Sequence, residues 1–211
     1  MKPHARLALF FSFSFVALFA FTRAEYIYDS DGDIVNNGGN YYLSPPSGYG
    51  GVATATINRG HILSCLLAVS ATLNQGYAAK IATPYPLKYI TNDYPLNISF
   101  ADLPSNACTH SPSWTVADIY GNDVDSVMVG NPQEFFIPRS GNFYIKKHDS
   151  ESYKFAFCYS TSSCGYVTSW IDALLRTARL FVTQDRSVQP FVFKLVKATS
   201  NDVASGISMV V

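Results

Sequence analysis

In the run Pro95-Leu96-Asn97-Ile98-Ser99-Phe100 apolar residues alternate with polar ones, and Tyr153 to Cys158 and Phe191 to Val196 repeat that period. Successive strand side chains point to opposite faces, so each run predicts a strand with one buried face. Clusters of Gly, Pro and Asn separate the runs, and short strands with frequent turns imply a barrel or a sandwich. Two stretches resist this reading. Leu63 to Gln75 is one; the other is Trp170 to Leu180, where Asp172 precedes an apolar pattern able to open a helix. Both are ambiguous between strand and helix. The similar runs PLNISF, YKFAFC and PFVFKL are unevenly spaced, so there is no strict internal repeat.

The N-terminal segment has a different pattern. Lys2 and Arg6 precede an unbroken apolar and serine run from Leu7 to Phe21, and Thr22-Arg23-Ala24 ends in a small residue. That order predicts a secretory signal peptide over residues 1–24, cleaved after Ala24, and a mature chain of residues 25–211. The run is shorter than the roughly 20 residues of a membrane-spanning helix, so no membrane association is expected after cleavage. The chain carries 15 basic and 15 acidic residues, and Lys2, Arg6 and Arg23 leave with the leader. The remainder is weakly acidic, which argues against a nucleic-acid partner.

Cys65, Cys108, Cys158 and Cys164 all follow the leader, and an even count in a secreted chain implies disulfides. Three connectivities are open; pairing Cys65 with Cys108 and Cys158 with Cys164 is the simplest. By loop entropy the first bridge would contribute about 4 kcal/mol and the short second one roughly 2 kcal/mol. No C-x-x-C spacing supports zinc, and His61, His110 and His148 are scattered, so no metal or other cofactor is expected.

Candidate chemistry is sparse. Asp29-Ser30-Asp31-Gly32-Asp33 resembles the start of a calcium loop, but the sixth position is Ile34 and the twelfth is Asn40 where Gly and Glu are required. A solvated turn accounts for it better. Asp118, Asp123 and Asp125 sit among Gly and Asn and also read as turns. There is no G-x-S-x-G nucleophile elbow, and full disulfide pairing removes any free thiol, so catalysis is not expected. In TPYPLKYI, residues 83–90, Pro84 and Pro86 bracket Tyr85 and stiffen the segment. Asn97-Ile98-Ser99 is a glycosylation sequon, with alternation placing Asn97 opposite Leu96, Ile98 and Phe100; at Asn131 the following Pro132 forbids modification.

Taken whole, YIYDSDGDIVNNGGNYYLSPP resembles the opening of the plant Kunitz inhibitors of the soybean trypsin inhibitor type. The resemblance continues through Gly50-Gly51-Val52, Cys65, TPYPLKYI, PLNISF, Cys108, Trp114, GNFYIKK, YKFAFC, Cys164-Gly165 and RLFV. It implies a single all-β domain over residues 25–211, a β-trefoil whose six-stranded barrel is capped by three hairpins and stapled by the two sequential disulfides. It also implies a secreted, monomeric inhibitor whose partner is a serine endopeptidase. The reactive loop would be Thr83, Pro84, Tyr85, Pro86, Leu87 and Lys88, tied from inside by Asn37, the asparagine before the Gly-Gly pair.

One departure changes the expected target. Trypsin inhibitors of the family place Arg or Lys before the scissile bond, and the matching residue here is Pro86, followed by Leu87. Proline offers no charge and no N–H, which forfeits a hydrogen bond of about 0.5–1.5 kcal/mol. A two-residue shift would bring Lys88 into the pocket, although Lys88 is equally an outward strand residue. The resemblance also admits a non-inhibitory trefoil of carbohydrate-binding, storage or miraculin-like type. A further alternative is an inhibitor of cysteine or aspartic proteases, or of a carboxypeptidase, through another loop. Among the other loops the segment Trp170 to Arg176 is noticeably apolar, for which a buried strand or helix turn is the commoner explanation. Vacuole and extracellular space are both compatible destinations.

Overall fold

The computed structural model describes residues 24–59, 62–104, 108, 111–121, 123–172 and 177–199. The leader up to Arg23, His61, His110, the segment Ala173 to Arg176 and the tail from Ser200 lie outside the described residues, as do the side chains of 58, 59, 62–65, 172 and 177.

Among the described residues, thirteen strands carry the architecture. In chain order they are β1 (Gly39–Ser44), β2 (Gly51–Arg59), β3 (Ile62–Thr72), β4 (Ala79–Ala82), β5 (Asn97–Phe100), β6 (Trp114–Asp118) and β7 (Asp125–Val129). After one 3-10 turn, Pro132–Glu134, come β8 (Ile137–Pro138), β9 (Asn142–Lys147), β10 (Tyr153–Cys158), β11 (Cys164–Asp172), β12 (Thr177–Thr183) and β13 (Val192–Lys197). They form one antiparallel sheet in the order β5-β4-β1-β13-β10-β11-β12-β3-β7-β6-β8, with β2 added on β3 and β9 on β10. Ser99 of β5 bridges Ser113 next to β6, so one end of that path returns to the strand next to its other end and the sheet curls around its interior.

Alternation fills that interior. Ile98 and Phe100, Phe143 and Ile145, Phe155 and Phe157, and Phe193 and Leu195 are buried along their strands. Trp114 meets Phe100, Phe155 and Phe143 edge-on at 5.5, 6.0 and 6.4 Å between ring centroids. Such edge-to-face arrangements set the positive rim of one ring against the negative face of another.

Both ambiguous stretches are strands. Leu63 to Gln75 falls largely in β3, which pairs with β2, β7 and β12. Its Leu67 and Val69 enter the main core, whereas Ala68 joins a second cluster with Ile57, Ala117, Ile119, Met128 and Phe135. Ser70 and Thr72 share a face with Leu66 and Ala68, which pack into that second cluster, so the alternation is interrupted along the strand. Trp170 to Leu180 is divided between β11 and β12, whose register pairs Trp170 with Arg179 and Asp172 with Thr177. Asp172 therefore closes a strand and does not open a helix. Trp170 and Ile171 are 69 % and 68 % exposed, contrary to the buried segment expected.

The aspartates also differ from expectation. Asp29 does sit in a turn, where Gly32 has φ +85°, but it is buried, and its Oδ1 accepts the N–H groups of Asp31 and Asp33 at 3.1 and 2.9 Å. Asp118 and Asp125 are a strand end and a strand start, only 2 % and 8 % exposed. Arg139 lies between them, with Nε 2.6 Å from Asp125 and Nη2 3.7 Å from Asp118 and 3.2 Å from Asp123. A guanidinium with several fixed donors compensates carboxylates that burial alone would penalise.

Candidate functional site

The segment Val35 to Gly39 is paired along its length with both ends of the 83–90 segment. Gly38 N–H donates to Ile81 O at 2.8 Å and Gly39 faces Ile81 in the β1–β4 register, which fixes the chain entering the loop. On the leaving side, Asn37 N–H donates to Lys88 O at 2.9 Å, Asn36 bridges Tyr89, and Ile90 N–H donates to Val35 O at 2.9 Å. Residues 83–88 must bulge outward between these two fixed points. Two glycines permit the arrangement. Gly38 has φ +79°, a region costly for side chains with a Cβ. A Cβ on Gly39 would stand 2.7 Å from the ring of Tyr41, whose buried hydroxyl accepts Asn36 N–H at 2.9 Å.

Asn37 fills the space beneath the bulge. Its Oδ1 accepts Thr83 N–H at 2.8 Å, and its Nδ2 donates to Leu87 O at 2.8 Å and to Tyr85 O at 3.3 Å. Because backbone N–H only donates and carbonyls only accept, this pattern sets the orientation of the side-chain amide. Leu87 N–H donates to Tyr85 O at 2.7 Å, closing a three-residue turn about Pro86. The Pro86 carbonyl, between the two that Asn37 holds, accepts no hydrogen bond from any described residue.

Burial separates foot from tip. Thr83 is buried and Leu87 half-buried, while Pro84, Tyr85, Pro86 and Lys88 face solvent. The Tyr85 ring rests on Tyr94 with centroids 5.1 Å apart, so the loop is also braced from outside. Lys88 Nζ lies 4.8 Å from the centroid of the Tyr89 ring, which Tyr26 meets edge-on at 6.0 Å. Tyr94 and Tyr41 are supports that sequence reasoning did not single out. Pro95, which stiffens the chain after Tyr94, is the only local signal for the first of them.

The loop presents a shaped backbone, with no nucleophile paired to a base. Among the described residues there is no group of three His, Cys, Asp or Glu side chains placed to hold a metal. Elsewhere, Cys158 and Cys164 form a disulfide across the β10–β11 register. Cys108 is described, but the side chain of Cys65 is not, and their pairing lies outside the described residues.

This geometry coincides with similarity to known proteins. The chain is 25 % identical over 190 residues to trypsin inhibitor A of Glycine max, covering 86 % of this chain and 85 % of that one. It is 30 % identical over 141 residues to the Kunitz-type elastase inhibitor BrEI of Bauhinia rufa, covering 64 % and 96 %. The crystal structure of trypsin inhibitor 1 from Senna obtusifolia superposes with a TM-score of 0.75 at 31 % identity, over 90 % of this chain and 99 % of that one. Residues 27–196 match the legume Kunitz family, described as trypsin and protease inhibitor, and with that match the chain belongs to the family.

Proposed function

We propose that this protein inhibits a serine endopeptidase by displaying residues 83–90 as a substrate-like loop, with Pro86 and Leu87 flanking the bond offered to the enzyme. The observation that carries this reading is the grip of Asn37 on the carbonyls of Tyr85 and Leu87, with the Pro86 carbonyl between them accepting no hydrogen bond from any described residue. Kunitz family members are protease inhibitors and not enzymes, and the relatives include inhibitors of trypsin and elastase. Ordering a flexible peptide costs roughly 0.5–1.5 kcal/mol for each immobilised side chain, and a loop already held in the bound shape avoids much of that.

Pro86 selects the target. It carries no charge for an acidic specificity pocket, so the favoured enzyme is one whose pocket takes an uncharged residue. The test is a panel of serine, cysteine and aspartic proteases titrated with the mature protein and with Pro86→Arg. The wild type should inhibit an enzyme with an uncharged pocket and be weak on trypsin. Pro86→Arg should gain trypsin inhibition by about 10- to 150-fold, the value of a charge-assisted contact of roughly 1.5–3 kcal/mol. No inhibition of any protease at micromolar concentration, together with no trypsin gain in the variant, would sink the reading.

A second surface is favoured by one observation, the exposure of Trp170 and Ile171 at the end of β11. Large apolar side chains there suit a second contact, and with it an inhibitor of another protease class. The same reading includes the six-stranded barrel with three hairpin caps, the Cys65–Cys108 bridge, and export as a monomer after cleavage at Ala24 to the cell exterior or the vacuole. The Cys158–Cys164 bridge supports an oxidising destination.

A further inference from the structure

The sequon at Asn97 acquires a location from the sheet register. Asn97 opens β5 and faces Ala82, the last residue of β4, so it stands across from the residue that leads into Thr83. Its side chain is exposed and has no hydrogen-bond partner among the described residues. Ser99, the hydroxyl residue of the sequon, shares its face two positions on and is only partly buried.

Directly paired residues have Cα atoms about 4.5–5.5 Å apart, and the four residues from Ala82 to Pro86 span at most about 14 Å. Asn97 therefore lies within roughly 20 Å of Pro86. A standard protein interface covers about 800 Å² on each partner, a disc of about 16 Å radius. An enzyme centred on Pro86 would therefore have Asn97 inside its footprint or no more than a few ångströms beyond its edge, on the flank occupied by Thr83 and Pro84. Tyr94, three residues before Asn97, already touches Tyr85 within that footprint.

We propose that Asn97 carries an N-linked oligosaccharide that screens this flank of the loop and slows the approach of the target protease. The inference rests on the loop reading given above. In the modification, Asn97 Nδ2 bonds to the anomeric carbon of an oligosaccharide carried on a polyprenyl diphosphate. The carbon–oxygen bond to the diphosphate breaks, the diphosphate leaves with the electron pair, and the amide gives up one proton. The glycan is bulky and hydrated, and its attachment point, the exposed Asn97 side chain, holds no hydrogen bond to the loop, so it acts on encounter and leaves dissociation alone.

The experiment uses protein secreted from plant cells, before and after an amidase that cleaves the glycosyl-asparagine bond and converts Asn97→Asp, alongside Asn97→Gln. Peptide mass should place an oligosaccharide on Asn97. Removing it should raise the association rate with the inhibited protease by about threefold or more, with the dissociation rate within twofold. Asn97→Gln should match the deglycosylated protein, which separates loss of the sugar from the introduced charge. An unmodified Asn97, or equal association rates for the two forms, overturns the proposal. If neither form inhibits any protease, the loop reading falls and screening falls with it, while the mass result independently decides whether Asn97 is modified.

Discussion

Replacing Asn37 with Ala removes a side chain that no other described residue matches in holding three backbone groups of the 83–87 segment together. Two of the lost hydrogen bonds, to Thr83 N–H and Leu87 O, are 2.8 Å long; the third, to Tyr85 O, is 3.3 Å and exposed. At about 1 kcal/mol net for each good bond, the two short ones stabilise the loop shape by about 2 kcal/mol. Once freed, the side chains of Tyr85, Leu87 and Lys88 must be ordered on binding at roughly 0.5–1.5 kcal/mol each. A loss of about 2–3 kcal/mol in affinity is expected, equivalent to roughly 30- to 150-fold in the inhibition constant. Asn37→Asp provides the control: it keeps an acceptor for Thr83 N–H but turns negative oxygen toward two carbonyls, so it should be at least as damaging. The assay is inhibition progress curves against the enzyme that the wild type inhibits, with chromatography to follow cleavage of the Pro86–Leu87 bond. The loosened loop should be cut faster. An inhibition constant within twofold of wild type, in a variant that still melts cooperatively, would refute the tie.

Two further outcomes follow from other parts of the molecule. Replacing Cys158 and Cys164 together with Ser opens a loop of sequence separation 6 and should lower stability by about 2 kcal/mol in urea denaturation; no change would show that the β10–β11 hairpin holds its tip without the bridge. The half-buried Tyr159 hydroxyl donates to Asp125 Oδ2 at 2.5 Å, and burial first, then this hydrogen bond, push its pKa well above the usual value of 10.0. A raised phenol pKa means stability that is fully present below that ordinary value and is lost as pH climbs through the raised one. Tyr159→Phe should therefore cost about 1 kcal/mol at neutral pH and flatten the alkaline decline, and parallel curves for the two proteins above about pH 10 would count against it.

Strands with one wet face were readable residue by residue. In PLNISF the buried and exposed positions alternate as the letters do, with Ile98 and Phe100 inward and Asn97 outward. β3 was not readable, because Leu67 and Ala68 enter two different apolar clusters, and Leu66 and Ala68 break the alternation on the face that carries Ser70 and Thr72. Trp170 was misread for the opposite reason: apolarity suggested burial, and only the three-dimensional path of β11 leaves it in water. Asp118 and Asp125 looked like turn residues because their neighbours are, whereas their burial depends on Arg139, which meets them only after the chain has returned through β8. Composition near Asn37 indicates a turn and nothing more. Its bond to Leu87 joins positions 50 apart, and without the family resemblance no local pattern points across that distance.

Asn37 and Tyr41 together separate what the loop displays from what keeps the protein folded. The hydroxyl of a core tyrosine holds Asn36, the next residue reaches up to the loop backbone, and the tip side chains of Pro84 and Pro86 are exposed. Exchanging those tip residues removes no core contact, so surface substitution there should stay within about 0.5 kcal/mol of neutral for folding. On the proposed loop reading, such a molecule is a mount with replaceable bait. A lineage can move from one enzyme to another by changing a few solvent-facing letters, while selection for a stable barrel acts on a different set of residues.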